Sequence, residues 1–409
     1  MVVEQHAEEA AFLWLLRDSA VHDPHYYLYD LAHLDDRTEA HIDGLRIAGD
    51  EGWEICKEAL AWEEPGEIYA AGVLAFEGRD SGKIKEILKV GISEPELSKG
   101  LISALGWIPF DQVIGYIQKF LDSGIVALHR VGIGAMAVHR QDVGRYLRPA
   151  IEDEDPALRA RALKAVGELG RKDLLQAVAS RLTDEDTKCR FYAAWSAVIF
   201  GYRSSTGVLQ YIAQNDGLFA ERACKTALRN MDIQSGHEWI NELAKNPDYQ
   251  RIALMGSGAL GDPASIPWLI NYMAMPEFAR VAGEAFSMIT GVDIAYEDLE
   301  GEWPEGFEAG PTENPEDEDV DMDPDEDLPW PEPGLILAWW QKNKGNFQNG
   351  TRYLCGKPIS EEQCQHVLRY GYQRQRAAAA LELAILNPGQ PLFEVRAPGF
   401  RQQKILSLH

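Results

Sequence analysis

Basic residues are scarce in this sequence of 409 residues. It has 39 Lys and Arg against 65 Asp and Glu, which gives a formal net charge of −26. Neutralising nucleic-acid phosphates requires clustered Lys and Arg, so the composition argues against a nucleic-acid-binding protein. Only five cysteines are present, and no two of them have CxxC spacing. This pattern favours free thiols in a reducing compartment over a disulfide or zinc framework.

Long apolar runs and a basic N-terminus are also lacking. A membrane helix needs about 18 uninterrupted apolar residues. The best window, residues 124–138, is interrupted by His129 and Arg130. No Lys or Arg precedes Arg17, whereas an export signal begins with basic residues. We therefore expect a soluble, cytoplasmic protein with no membrane partner.

Motifs for catalysis or cofactor binding are weak or missing. GSGALG, residues 256–261, has the spacing of a dinucleotide-binding loop. Such a loop follows a strand and opens a helix, whereas this one lies inside a helical pattern. His129 and His139 lie near Asp142, but no nucleophile, second catalytic carboxylate or HExxH motif accompanies them. We expect no catalytic residue, no cofactor and no metal site, and hence a protein that is not an enzyme.

What the sequence does contain is an internal repeat of about 30 residues. Its first marker is an arginine that recurs every 29 to 32 residues. A glycine follows 10 or 11 residues later in four repeats, at Gly170, Gly201, Gly261 and Gly291. Acidic or Pro residues precede the arginines. We call the following six residues the repeat arginines: Arg130, Arg159, Arg190, Arg222, Arg251 and Arg280.

Each repeat has the properties of a helix pair. Acidic residues and Pro suit a helix start, the Ala-rich body provides a broad apolar face, and Gly suits the left-handed residue that ends a helix. Two short helices cannot bury their apolar faces alone, so neighbouring repeats must stack. The repeat resembles the short variety of HEAT unit. In that resemblance each arginine links its repeat to the next by bonding to acidic side chains or carbonyls. The alternative is that the repeat arginines bind a ligand.

We therefore predict an all-α fold, a HEAT-like solenoid with an acidic loop and a helical C-terminal module. Seven or eight units should form the solenoid. The predicted segments are an N-terminal helical region (1–66), the repeat solenoid (67–295), an acidic, Pro-rich loop (296–333) and a C-terminal helical module (334–409).

The loop contains a run without any basic residue. From Glu300 to Glu332 there are 15 acidic residues, and we call this stretch the acidic segment. It lacks the apolar content to fold by itself and does not match an EF-hand loop. It is a solvated linker, a weak site for divalent ions, or a polyanion that contacts a basic partner. Its tryptophan either contacts that partner or anchors the C-terminal module. The candidate partner-binding residues are Asp317, Asp319, Asp321, Asp323, Asp325, Asp327 and Trp330.

Several phrases resemble a little-characterised family of proteobacterial HEAT-like-repeat proteins. They span roughly residues 100–409 and are AVHRQDVG, RARALKAVGELG, GDPASIPWLI, AGEAFSMITGVDI, LPWPEP, GTRYLCGKP and QRQRAAAALELA. Members are often encoded near type VI secretion components. The resemblance implies a protein partner, a secreted toxin or effector, and hence an immunity protein. The alternative is an adaptor that loads an effector onto the secretion apparatus. Short HEAT units also occur in lyases that act on a bound chromophore, which keeps an enzyme as a third class.

Overall fold

The computed structural model of the protein describes residues 2–310 and 322–408. In that part of the chain the regular structure consists of 22 α-helices, short 3-10 turns and one hairpin of two strands. The all-α prediction is confirmed. The chain divides into two compact units, Met1–Ser205 with Tyr372–His409, and Thr206–Gly371. The four segments proposed from the sequence stay a prediction.

The first unit begins with three helices and continues as helix pairs, and two further helices come from the C-terminal part of the chain. The three leading helices are α1 (Val2–Ala20), α2 (Leu28–Ala48) and α3 (Asp50–Ala59). The paired helices are α4 (Pro65–Glu77), α5 (Ser81–Gly91), α6 (Ser98–Trp107), α7 (Phe110–Asp122), α8 (Val126–Val138), α9 (Leu147–Ile151), α10 (Pro156–Glu168), α11 (Leu175–Ala179) and α12 (Thr187–Ile199). Helix α13 (Ser204–Asn215) crosses the boundary between the units.

In the second unit the pairs continue and are followed by the acidic segment, a helix, the hairpin and one more helix. The helices of this unit are α14 (Ala220–Asn230), α15 (Ile233–Ala244), α16 (Gln250–Leu260), α17 (Ile266–Tyr272), α18 (Pro276–Thr290), α19 (Pro333–Asn343) and α20 (Glu361–Tyr370). The two helices that follow in the chain belong to the first unit and are α21 (Gln373–Leu386) and α22 (Gly399–Leu406). Strands β1 (Tyr353–Leu354) and β2 (Lys357–Pro358) pair antiparallel.

The first helices of successive pairs pack against one another. In the first unit α4 packs on α6, α6 on α8, α8 on α10, and α10 on α12; in the second unit α14 packs on α16, and α16 on α18. Small residues allow the close approach: a Cβ at Gly72 would lie 2.8 Å from that of Ala104. Larger apolar side chains such as Leu163 and Phe286 are fully buried in these interfaces. Burial of this shared apolar face is the main source of stability in a stacked array.

Helix starts follow the chemistry expected for acidic turns. The Asp155 carboxylate accepts a 2.7 Å hydrogen bond from the Leu158 amide at the start of α10, and Asp186 caps α12 in the same way through the Cys189 amide. Each cap satisfies an amide that has no partner inside the helix. Since the two turns have the same sequence pattern, they place their acidic side chains in equivalent positions.

In the first unit an extended part of the chain crosses the ends of the repeat helices. The Leu392 amide donates to the Glu168 carbonyl (3.0 Å), and Arg140 bonds to the Leu392 carbonyl and the Glu394 carboxylate, both at 2.6 Å. A Cβ at Gly170 would lie 2.6 Å from the Gln390 carbonyl oxygen. The repeat glycine is therefore needed here both for its left-handed backbone and for room.

In the second unit the hairpin crosses helix ends in a comparable way. The Tyr353 amide donates to the Gly261 carbonyl (2.8 Å), and the Cys355 amide donates to the Met288 carbonyl (2.9 Å). A Cβ at Gly291 would lie 2.7 Å from the backbone of Cys355. These bonds satisfy carbonyls at the C-terminal ends of α16 and α18, which have no partner within their own helix.

Candidate functional site: the repeat arginines and the acidic segment

Arg159, on α10, joins two acidic turns of the first unit. Its guanidinium makes a two-pronged ion pair with the Asp184 carboxylate, at 2.8 and 2.9 Å. It also donates to the Asp153 carbonyl in its own turn (2.8 Å). The Asp184 side chain is 3% exposed and that of Arg159 is 12% exposed. Arg159 thus connects its own repeat to the turn that begins the next one.

The turn at Asp184 is bound by two arginines at once. While Arg159 holds the carboxylate, Arg190 donates to the Asp184 carbonyl (2.7 Å) and to the Thr187 hydroxyl (3.1 Å). Burial opposes ionisation of Asp184, but the hydrogen bonds from Arg159 and the Asp186 amide outweigh it, so the pKa lies below its ordinary value. The carboxylate is therefore charged wherever the protein is folded at neutral pH.

Arg130 and Arg222 have different surroundings. Arg130, on α8, is buried and donates to the Ser98 hydroxyl (3.0 Å). Burial lowers its pKa, although the charges of Asp155 and Glu94 act in the opposite direction. Arg222 lies on α14 and its side chain is exposed. The six repeat arginines therefore share a sequence position without sharing one set of partners.

The last two repeat arginines bind the acidic segment. Arg251, on α16, makes a two-pronged pair with the Asp325 carboxylate, at 2.7 and 2.6 Å. Arg280, on α18, makes another with Asp323, at 2.7 and 2.9 Å, and donates to the Asp325 carbonyl (2.8 Å). Planar forks of this kind are among the strongest and most specific hydrogen-bonded ion pairs in proteins. Both carboxylates are therefore used inside the second unit.

Residues 323–325, which we call the acidic turn, share one backbone-amide hydrogen bond with the repeat turns. The Asp325 amide donates to the Asp323 carboxylate (2.9 Å). The same bond joins Asp155 to Asp153 (2.9 Å) and Asp186 to Asp184 (3.1 Å). Each time, an Asp-x-Asp sequence folds into an Asx turn. The first carboxylate of two of these turns, at Asp184 and Asp323, also accepts from an arginine. The acidic turn thus presents to Arg280 what the Asp184 turn presents to Arg159.

Two tryptophans enclose Arg280. The guanidinium carbon lies 4.8 Å from the ring centroid of Trp330 and 5.5 Å from that of Trp303. Those two rings meet edge to face at 5.0 Å, and both contact Phe307. The cation–π contacts add to the ion pair because Arg280 is only 4% exposed. Backbone bonds from Gly301 to the Trp330 carbonyl fix the cluster (2.8 Å).

The predicted partner-binding residues have three outcomes. Asp317, Asp319 and Asp321 lie outside the described residues. Asp323 and Asp325 bind the repeat arginines, and Trp330 packs on Arg280. Asp327 is exposed. Sequence analysis missed the pairing between the acidic turn and the arginines, although the shared Asp-x-Asp spacing of residues 153–155, 184–186 and 323–325 was a signal for it.

The histidines and the glycine-rich motif contribute to packing. His139 bonds to the Leu105 carbonyl (2.8 Å), and burial lowers its pKa to about 4. The ring of His129 contacts the Leu121 carbonyl. GSGALG forms the end of α16, and Gly261 ends that helix with φ +77°. Gly258 lies against the backbone of Ala285 on α18, which explains a small residue at this position.

The fold defines a helical-repeat protein whose repeats are joined by arginine–aspartate pairs. A family model for HEAT repeats matches residues 145–229, so the chain is similar to HEAT-repeat proteins over that region, and the predicted HEAT-like fold class is confirmed. No curated protein and no solved structure matches the chain significantly. Arrays of this class are typically binding scaffolds for other proteins. Among the described residues, no helix combines the length and the apolar character needed to cross a membrane.

Proposed function

We propose that this protein is a non-enzymatic scaffold that binds a secreted antibacterial toxin and neutralises it, as an immunity protein does. Three facts support the proposal. The chain has HEAT-like repeats, which present an extended surface to proteins. Its net charge is −26, and its sequence resembles a family often encoded near type VI secretion components. The partner would then be basic, because opposite potentials speed association and set the register of binding.

The observation that carries the proposal is an exposed acidic residue held at the same place in successive repeat turns. In each Asp-x-Asp turn of the first unit the two aspartates bond inside the protein, whereas the middle glutamates, Glu154 and Glu185, are exposed. Their backbones are fixed by helix caps and by arginine bonds. The turns therefore hold negative charges on a rigid support, which lowers the entropy cost of pairing with a basic partner.

The first experiment tests binding and protection with the product of a neighbouring toxin gene. The wild-type protein should bind the toxin tightly and rescue cells that express it. Association should slow as salt rises from ~0.05 to ~0.5 M, because the Debye length falls below ~5 Å. A toxin that binds no more tightly than an unrelated basic protein, with no rescue, would reject the proposal.

A charge-reversal pair locates the surface. Glu154→Lys with Glu185→Lys should reduce the association rate at least ~10-fold at low salt, since both charges face solvent. Glu51→Lys with Glu58→Lys changes the net charge equally at two exposed positions of α3 and should have a small effect. Equal effects of the two pairs would show that only net charge matters and would remove the repeat turns from the proposal.

The alternative is an adaptor that loads an effector onto the type VI apparatus. An adjacent gene for a spike or sheath component, without a toxin gene, would favour the adaptor. An adaptor would bind both an effector and a component of the apparatus. A strain lacking it would stop killing competitors but remain resistant to its siblings. Competition between the deletion strain and its parent therefore distinguishes the two functions.

A further inference from the structure

The contacts around Arg251 and Arg280 are those of a ligand site occupied by the chain itself. Two guanidinium groups hold two carboxylates through four bonds of 2.6 to 2.9 Å. Three of the four side chains are largely withdrawn from water, with Arg280 4%, Asp323 9% and Asp325 6% exposed, whereas Arg251 is 28% exposed. Charge-assisted pairs in such surroundings are strong and selective for the planar carboxylate. The residues therefore form a site with defined chemistry, selective for two carboxylates two positions apart.

The two sides of this site differ in how firmly they are held. The arginines are on α16 and α18, which pack on each other around a core that includes Leu254 and Phe286. The acidic turn belongs to no helix or strand. Its own backbone bonds are local, such as that from the Leu328 amide to the Asp325 carbonyl (2.8 Å). Since a loop with local backbone bonds opens at lower cost than two packed helices, the acidic turn is the side that can leave. Its departure exposes Leu328, which is 5% exposed while the turn is bound.

The first unit provides evidence that such arginines accept Asp-x-Asp turns of different origin. Arg159 binds the turn Asp184–Glu185–Asp186, which begins the following repeat. Arg280 binds Asp323–Pro324–Asp325, which comes from the acidic segment. The middle residue differs and the position in the chain differs, yet the Asx turn and the ion pair are the same. In both units the arginine binds the first aspartate of the turn, whereas the second aspartate caps α12 in the first unit and binds Arg251 in the second. Recognition therefore depends on the turn and its first aspartate, and the second aspartate adds the contact that Arg251 supplies here.

The occupied site also keeps an unused donor. The indole Nε1 of Trp330 is buried and has no hydrogen-bond partner among the described residues. A buried donor without an acceptor costs free energy. A ligand that filled the site and supplied an acceptor there would gain this bond. The described residues thus leave one donor of the site for a ligand to use.

We propose that Arg251, Arg280, Trp303 and Trp330 form a binding site for an acidic Asp-x-Asp turn of a partner protein, and that residues 322–328 fill this site until the partner displaces them. The proposal goes beyond the binding of a basic toxin, since it concerns an acidic ligand and a different surface. Residues 322–328 compete from within the same chain, where a tether gives an effective concentration of the order of mM. A partner must therefore bind the site tightly enough to displace residues 322–328, and weakly acidic segments do not.

A peptide titration on the full-length protein tests the proposal. The probe is a fluorescent peptide with the sequence of residues 322–328, and its control carries Asn in place of Asp323 and Asp325. Asp323→Asn with Asp325→Asn in the protein keeps the shape of the turn and removes its charge. This variant should bind the acidic peptide at least ~10-fold more tightly than wild type, because the internal competitor is lost. Adding Arg251→Gln to the variant should abolish that gain.

Three results would overturn the proposal. In the first, the variant keeps the wild-type circular dichroism but does not bind the acidic peptide. In the second, the variant and the wild type bind the acidic peptide with equal affinity. In the third, the variant binds the Asn peptide as tightly as the acidic peptide. If the variant does not fold, hydrogen exchange on the wild type decides. Excess acidic peptide should then speed exchange at the amides of Asp325 and Leu328, which bond within the turn. Unchanged exchange at saturating peptide would reject displacement.

Discussion

Arg159 in the first unit and Arg280 in the second make the same ion pair with partners of different origin. Asp184 comes 25 residues after its arginine, at the start of the next repeat. Asp323 comes 43 residues after its arginine, from a segment that forms no repeat helix. Arg280 also has two tryptophans against its guanidinium. The comparison teaches that the last repeat arginine keeps its partner because the acidic segment reproduces a repeat turn.

The largest expected effect comes from removing Arg280. Arg280→Ala leaves the Asp323 carboxylate and the Asp325 carbonyl without their donor in a water-poor site, and should cost about 3 kcal/mol of unfolding free energy. Arg159→Ala should cost less, about 1–2 kcal/mol, because its side chain is more exposed. A urea titration measures both. Lys245→Ala, at an exposed ion pair with Glu242 at the end of α15, is the control and should change stability by under ~0.5 kcal/mol.

The order of these costs is the test. Equal costs for Arg280→Ala and Lys245→Ala would show that the acidic segment adds nothing to the fold. A larger cost for Arg159→Ala than for Arg280→Ala would show that the tryptophans and the deeper burial have no effect on the second pair.

A medium effect should come from the tryptophan nearer to Arg280. Trp330→Leu keeps an apolar side chain but removes the aromatic face above the guanidinium, and should cost about 1–2 kcal/mol. Trp339→Leu is the control for loss of a tryptophan, since that ring contacts Phe286 and no repeat arginine. If Trp330→Leu lowered the unfolding free energy by less than about 0.5 kcal/mol, the ion pair alone would hold the acidic turn in place.

The smallest effect is a pH dependence that both regions should share. Burial opposes ionisation of Asp184 and Asp323, but their hydrogen bonds to arginine outweigh it, so the pKa of each lies below its ordinary value of 3.8. An unfolded chain therefore takes up these protons first as pH falls. The stabilisation is complete above pH 3.8 and is lost as pH drops through the lower, folded pKa.

Urea midpoints between pH ~5 and ~2 measure this dependence. Asp184→Asn and Asp323→Asn should each flatten the curve below pH 3.8 and leave its shape above that value unchanged. A variant whose curve runs parallel to wild type throughout would mean that its carboxylate has the same pKa in the folded and unfolded chains.

The sequence predicted the features that depend on neighbouring residues. The spacing of the arginines and glycines predicted stacked helix pairs, because each marker acts within one helix and its flanking turn. Pro156 does begin α10, and Gly261 and Gly291 do end their helices with a positive φ. Local chemistry decides these boundaries, so a single chain is enough to find them.

The sequence could not predict contacts between distant parts of a unit. Composition indicated that the acidic segment is solvated or binds a partner. A count of charges does not show which carboxylates lie near an arginine, so the pairing was missed. The pairing of Asp323 with Arg280 depends on how the chain returns after α18. The packing of Gln390 on Gly170 depends in the same way on a segment 220 residues away. Neither has a local signal beyond the Asp-x-Asp pattern and the glycine itself.

A double-mutant cycle on Arg280 and Asp323 tests the central claim most directly. The unfolding free energies of Arg280→Ala, Asp323→Ala and the double variant give the energy of the pair alone. We expect a coupling of about 2 kcal/mol, at least as large as that of Arg159 with Asp184 measured in the same way. A coupling within ~0.3 kcal/mol of zero, beside a clear coupling for Arg159 and Asp184, would contradict the claim that the acidic segment takes the place of a repeat turn.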